Sequence, residues 1–172
     1  MTLFKNQYRV ETARKPGWDY SLPAWYFVTI CTQDKTPYFG RVIDEQVDLF
    51  MVGEQAERCW REIPDHYENV VLDEFVVMPN HLHGILVIPR DPVRKHDSGG
   101  VEGESKQVSG SLASIVGSFK SAVTRWCSQE QMEFDWQPRF HDRIIRDEKS
   151  LAAIRAYIRD NPMNWGKDPD FI

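Results

Sequence analysis

Two apolar runs separated by two residues constrain this chain more than anything else in it. Residues 69–78, NVVLDEFVVM, and 81–88, HLHGILVI, flank Pro79-Asn80. Runs rich in Val and Ile that are joined by so short a turn form an antiparallel β-hairpin. Both are apolar on both faces, so the hairpin is expected to lie centrally in a sheet, covered above and below. The rest of the chain must then supply strands to flank it and helices to cover it.

Those elements are visible. Residues 25–32, WYFVTICT, are β-branched and aromatic and read as a strand, broken by 36–40, TPYFG. Leu49, Val52, Ala56, Cys59, Trp60 and Ile63 recur at helical spacing, which predicts a helix over 46–62 stopped by Pro64. Leu112, Ile115, Val116, Phe119, Val123 and Trp126 make the apolar stripe of a helix over 111–128, with Ser109 or Ser111 as its N-cap. Residues 136–146 read as a strand and 148–160 as a last helix, ended by Asn161-Pro162. The order is β-α-β-β-α-β-α. Its first six elements match the ferredoxin-like split β-α-β arrangement, an α+β fold with helices on one face of an antiparallel sheet. A further C-terminal helix is added. A single domain over 1–172 is expected, with a basic arm at 1–23, a flexible loop at 90–110 that has almost no large apolar residues, and a tail at 163–172.

Composition narrows the class. A length of 172 residues suits one core, and 12% aromatics with six Trp exclude a disordered chain. No apolar run approaches the roughly 20 residues that span a bilayer. The first 20 residues lack the apolar centre of a signal peptide, so the expected location is the cytoplasm. Cys31, Cys59 and Cys127 are scattered, which predicts reduced thiols rather than disulfides or a zinc site. The net charge is −5, unevenly placed. Residues 1–43 hold six basic and three acidic side chains, whereas 44–88 hold two and ten. Such asymmetry can leave one face positive on an acidic protein, although a simply solvated surface accounts for it equally well.

Three features point to chemistry. His81-Leu82-His83 opens the second strand of the hairpin. Side chains at i and i+2 share one face of a strand, about 7 Å apart, so two imidazoles can grip one metal ion. Two unpaired rings would otherwise be costly to bury there. Tyr157 and Asn161 lie four residues apart on one face of the last helix. The phenol could serve as a nucleophile activated by a cation, and Asn161 could lend a carbonyl oxygen as a third ligand. The plainer alternative makes Tyr157 a core aromatic with its hydroxyl at the rim and Asn161 a C-terminal helix cap before Pro162. Finally, Lys120, Arg125, Arg139 and Arg143 are interleaved with Trp126, Trp136 and Phe140, and Arg9, Arg14 and Lys15 precede Trp18 and Tyr20. Cations suit phosphates and flat rings suit unpaired bases, while a Trp-rich core under surface salt bridges would look similar.

Three motifs in this order resemble one family. MPNHLH at 78–83, WYFVTICT at 25–32 and YIRDNP at 157–162 are similar to those of REP-associated tyrosine transposases, bacterial relatives of the single-tyrosine HUH transposases. The resemblance runs from 16 to 165. It implies a ferredoxin-like fold, a Mg²⁺ or Mn²⁺ ion held by His81 and His83, and Tyr157 as the nucleophile. Asn161 stands where many single-tyrosine relatives have Gln as a further ligand. One methylene shorter, it would ligate directly, through water, or only orient Tyr157. The implied substrate is single-stranded DNA folded as a hairpin, cut and rejoined through a 5′-phosphotyrosine by a monomer or homodimer. Rival readings are a non-catalytic nucleic-acid-binding protein and a hydrolytic metal-dependent nuclease on the same fold.

Overall fold

The computed structural model describes residues 17–20, 23–89 and 110–168. Its main sheet has four antiparallel strands: β1 (Ala24–Cys31), β4 (Val71–Met78), β5 (His81–Ile88) and β6 (His141–Ile145). Their order is β4-β5-β1-β6. β5 thus lies between the parallel pair β1 and β4, which is the split β-α-β topology read from the sequence. The hairpin is in the expected register, with Met78 opposite His81. Only β5 is fully enclosed, whereas β4 is an edge strand. The expectation that both strands of the hairpin are central therefore holds for one of them.

Alternation along β1 divides the interior in two. Tyr26, Val28 and Ile30 face α1 (Met51–Arg61) and α3 (Leu112–Gln129), in the larger core with Trp60, Ile115 and Phe119. Trp25 and Phe27 face the other way, against α4 (Glu148–Asp160). Here Ile85 and Ile145 of the sheet meet Leu151, Ile154 and Ile158. The two crossover helices share one face as expected, and the added helix covers the other. Gly84 of β5 makes the first layer possible, because a Cβ there would run into the Trp60 ring.

One element departs from its reading. Residues 46–62 are not a single helix: a hairpin of β2 (Gly40–Ile43) and β3 (Gln46–Leu49) precedes α1. Its turn is Asp44-Glu45, with both residues at positive φ (50° and 63°). That conformation usually calls for Asn or Gly, so the sequence carries no ordinary turn signal. Past α1, Pro64 does not end the helical path but opens a single turn, α2 (Ile63–His66). The strand predicted over 136–146 is shortened to β6, with Trp136 joined to Thr32 only by an isolated bridge. Arg9, Arg14, Lys15 and nearly all of the 90–110 loop lie outside the described residues.

Candidate active site

His81 and His83 stand on the β5 face that α4 covers, both buried. Backbone spacing alone would separate them by about 7 Å. The rings lean together, with centroids 4.3 Å apart.

The hydrogen bonds settle what His81 presents. Asn80, in the hairpin turn, is wholly buried. Its side-chain nitrogen donates to the Lys35 carbonyl at 3.2 Å, which turns its oxygen toward His81 Nδ1 at 2.8 Å. That oxygen can only accept, so Nδ1 carries the proton and Nε2 keeps its lone pair. His81 Nε2 is buried and has no hydrogen-bond partner among the described residues. Burial pulls the ring's pKa down from 6.5 to about 4; Asp168 pulls it back up and Lys35 pushes it further down. The ring is therefore neutral at physiological pH, the form that binds a metal. At His83, Nδ1 lies 2.9 Å from Thr29 Oγ1 and Nε2 lies 3.2 Å from the Tyr157 hydroxyl.

α4 brings Tyr157 to this pair. Asp147 caps the helix by accepting from the Ser150 backbone N–H, and the Leu151-Ile154-Ile158 stripe seats it on the sheet. Tyr157 lies beside the stripe, 42% exposed, with its ring edge-on to Phe27 at 6.1 Å. Tyr157 is thus more open than a core aromatic with its hydroxyl at the rim would be, whereas Asn161 does cap the end of α4, as the plainer reading had it. Its helix is fixed from the side as well. Arg155 donates two hydrogen bonds to Asp73, at 2.8 and 2.7 Å, and Arg159 reaches Glu74 at 3.2 Å. Asp73 and Glu74 occupy an irregularity in the β4 register between Leu72 and Phe75. Such a bulge re-aims side chains that a regular strand would alternate.

The sequence reading missed one participant. Past α4 the chain turns through Asn161 and a short 3₁₀ turn, Trp165–Lys167, which returns Asp168 to the site. Asp168 Oδ2 accepts from the Tyr157 hydroxyl at 3.3 Å and from Asn161 Nδ2 at 2.8 Å. Ligand atoms of His81, His83 and Asp168 all lie within 4.8 Å of one another. Two nitrogens and a carboxylate oxygen, with one imidazole nitrogen buried and unpaired, fit a divalent cation. Asn161 is also buried, and its side-chain oxygen has no hydrogen-bond partner among the described residues. That atom is the one the sequence reading offered as a ligand. Asp168 gave no such signal, because nothing in its neighbourhood shows periodicity and the tail's return depends on backbone turns.

The basic residues separate into two groups. Arg143 lies on the site's face of the sheet, paired across from Phe27, and His141 is paired with Thr29. Arg139 is exposed just before β6. Lys120 and Arg125 belong to α3, in the opposite layer. The Lys120 ammonium donates to the carbonyls of Gln137 and Arg139, at 2.8 and 3.2 Å, and stands over the Trp136 ring. It ties α3 to the lead-in of β6.

No model of a known protein family matches the chain. A protein of Haemophilus influenzae that carries no functional name is 38% identical over 164 residues, 92% of this chain and 91% of the relative. The two belong to one family. A second protein of that organism, which bears the name REP-associated tyrosine transposase, is 24% identical over 86% of this chain and 75% of its own length. Among solved structures, a REP-associated tyrosine transposase bound to a REP hairpin superposes with a TM-score of 0.60. It is 20% identical, over 89% of this chain and 75% of its own. No helix among the described residues is long and apolar enough to cross a membrane.

Proposed function

We propose that this chain, like the REP-associated tyrosine transposases it resembles in sequence and fold, cuts and rejoins single-stranded DNA, with Tyr157 as the nucleophile. The observation that carries the reading is the Tyr157 hydroxyl, 3.2 Å from His83 and 3.3 Å from Asp168 at the edge of a three-residue cation site. His81, His83 and Asp168 would hold Mg²⁺ or Mn²⁺, with the Asn161 oxygen as a further ligand. When bound, the ion neutralises charge on the scissile phosphate and orients it.

The chain's own residues do the rest. Tyr157 Oη attacks phosphorus, and its proton passes to the Asp168 carboxylate, which already accepts it in a hydrogen bond. The bond from phosphorus to the 3′ oxygen breaks, and that oxygen leaves as a hydroxyl with a proton from solvent on the open side of the site. The 5′ end remains on Tyr157 as a phosphodiester. A second 3′ hydroxyl then attacks the same phosphorus and gives its proton to solvent, the bond from phosphorus to Tyr157 breaks, and Tyr157 recovers its proton from Asp168. No bond energy is lost to water, so joining needs no nucleotide triphosphate.

The relative solved with a REP hairpin supports hairpin DNA with single-stranded flanks as the substrate here. Arg143, on the site's face of the sheet, and Arg139, exposed just before β6, are the backbone contacts we favour. Arg9, Arg14 and Lys15 would add a basic arm. Lys120 and Arg125 lie in the layer across the sheet and are the weaker part of the proposed interface. The test is a labelled hairpin incubated with protein and Mn²⁺ and resolved under denaturing conditions. A protein–DNA adduct is expected, absent in Tyr157→Phe. Cut strands without an adduct would make the protein a hydrolytic nuclease instead.

A further inference from the structure

Beside Tyr157 lies a cleft of about 600 Å³, between α4 and the strands β1 and β6. A larger hollow, about 750 Å³, lies against the β4 edge on the other flank of α4 and is lined by the Arg155–Asp73 and Arg159–Glu74 pairs. The cleft beside Tyr157 differs in chemistry. One wall is apolar, formed by Phe27 and Ile154. Its rim carries Gln137 and His141, which can donate and accept hydrogen bonds, and two cations, Lys35 and Arg143. No carboxylate is found among the described residues that line it, in a chain where 26 acidic residues outnumber 21 basic ones.

The two cations bracket the cleft. Lys35 acts electrostatically on His81, which places it at the cation-site end. It sits in a turn where Asp34 and Lys35 both have positive φ, 51° and 56°, and its carbonyl is held by Asn80. Two consecutive left-handed residues without glycine are costly, and such backbone persists where neighbours over-determine it. Arg143 marks the β6 end, opposite Phe27 in the register.

We propose that this cleft seats one unpaired nucleotide of the DNA strand, next to the scissile bond. The base lies against Phe27 and Ile154 with its edge toward Gln137 and His141, and the flanking phosphates meet Lys35 and Arg143. The volume falls in the usual range for small-ligand pockets, about 300–1,000 Å³. A base stacked in a duplex cannot enter such a cleft, so the same feature selects single strands. This inference rests on the function proposed above, and it adds base selectivity at one position.

The test uses the full chain and separates the two readings. Binding of a fluorescein-labelled, randomised 12-nucleotide single strand is measured by anisotropy, with Mn²⁺ binding followed by calorimetry. Ala153→Trp, which fills the cleft from an exposed position of α4, and Arg143→Ala are each expected to weaken the single strand about tenfold and leave Mn²⁺ binding unchanged. Adducts formed by the wild type on a randomised strand are then sequenced. A base preference next to the break is expected, relaxed in Gln137→Ala. An abasic residue at that position should reduce adduct formation as Ala153→Trp does, without adding to it, and that arm needs no altered protein. Full adduct formation on the abasic strand or by a folded Ala153→Trp would overturn the cleft and leave the tyrosine mechanism standing. No adduct from the wild type, with binding still sensitive to Ala153→Trp, would keep the cleft and overturn the mechanism.

Discussion

Asn80 shows how much can rest on a turn residue. One amide holds the Lys35 carbonyl and, by elimination, fixes the His81 tautomer with Nε2 open to a ligand. Partners of this kind around metal ligands are commonly worth 10- to 100-fold in affinity. Asn80→Ala is therefore expected to weaken Mn²⁺ binding by about that factor in calorimetry, with the histidines intact. Asn80→Asp, which keeps the acceptor and loses the donor, should recover part of it. Asp168 is tested at the same scale. Asp168→Ala should lose Mn²⁺ affinity and slow adduct formation together, because in the proposed mechanism the same carboxylate holds the cation and takes the phenolic proton. Unchanged Mn²⁺ affinity would remove Asp168 from the ligand set. At this scale the sequence was partly transparent. His81 and His83 could be paired because a strand repeats every two residues, and Tyr157 with Asn161 because a helix repeats every 3.6. Asp168 follows neither period, and Asn80 looked like an ordinary turn residue until its burial was seen.

Among the elements, α4 is the one whose placement decides the proposed activity. Only a small apolar cluster seats it, and the Asp73–Arg155 and Glu74–Arg159 pairs guide it from the flank. The Arg155 hydrogen bonds hold the Asp73 carboxyl below the usual range. Asp73→Ala is expected to slow adduct formation by about an order of magnitude while Mn²⁺ still binds, since the cation site lies mostly on β5 and the tail. Equal losses of both would make the pair merely structural. Amides of α4 should also exchange with solvent faster than those of α3, which is packed in the larger core. The bounds of α4 and β5 were legible because their apolar stripes begin and end at caps, Pro or Asn. The β2–β3 hairpin was hidden because Asp44 and Glu45 adopt left-handed backbone without Asn or Gly, and because Leu49 extends the period of α1 into the preceding strand.

For the whole molecule, acidity and metal pull in opposite directions. His81 titrates at 6.5 in an unfolded chain and at about 4 when buried. Its contribution to stability is complete above pH 6.5 and is lost as pH falls from there toward 4, because the unfolded chain takes up the proton first. Asp73, with its carboxyl lowered, adds a second loss at still lower pH, as its native carboxylate is protonated. Metal-free protein should thus melt at falling temperatures below pH 6.5, and His81→Phe should flatten the first part of that decline. At pH 7.5, Mn²⁺ at about 100 times its Kd should raise Tm by about 5–10 °C, an effect removed by His81→Ala with His83→Ala. The sheet order was readable at this scale because the split β-α-β pattern admits few topologies. The side on which the last helix lands was not, since both faces of the sheet are apolar.

The two halves of the proposed reactive centre are also far apart in time. His81 and His83 leave the ribosome well before Tyr157 and Asp168, with β6 lying between. A nascent chain can therefore close its sheet through β6 before Tyr157 and Asp168 emerge, so that under the proposed mechanism the nucleophile is delivered last, onto a fold already formed.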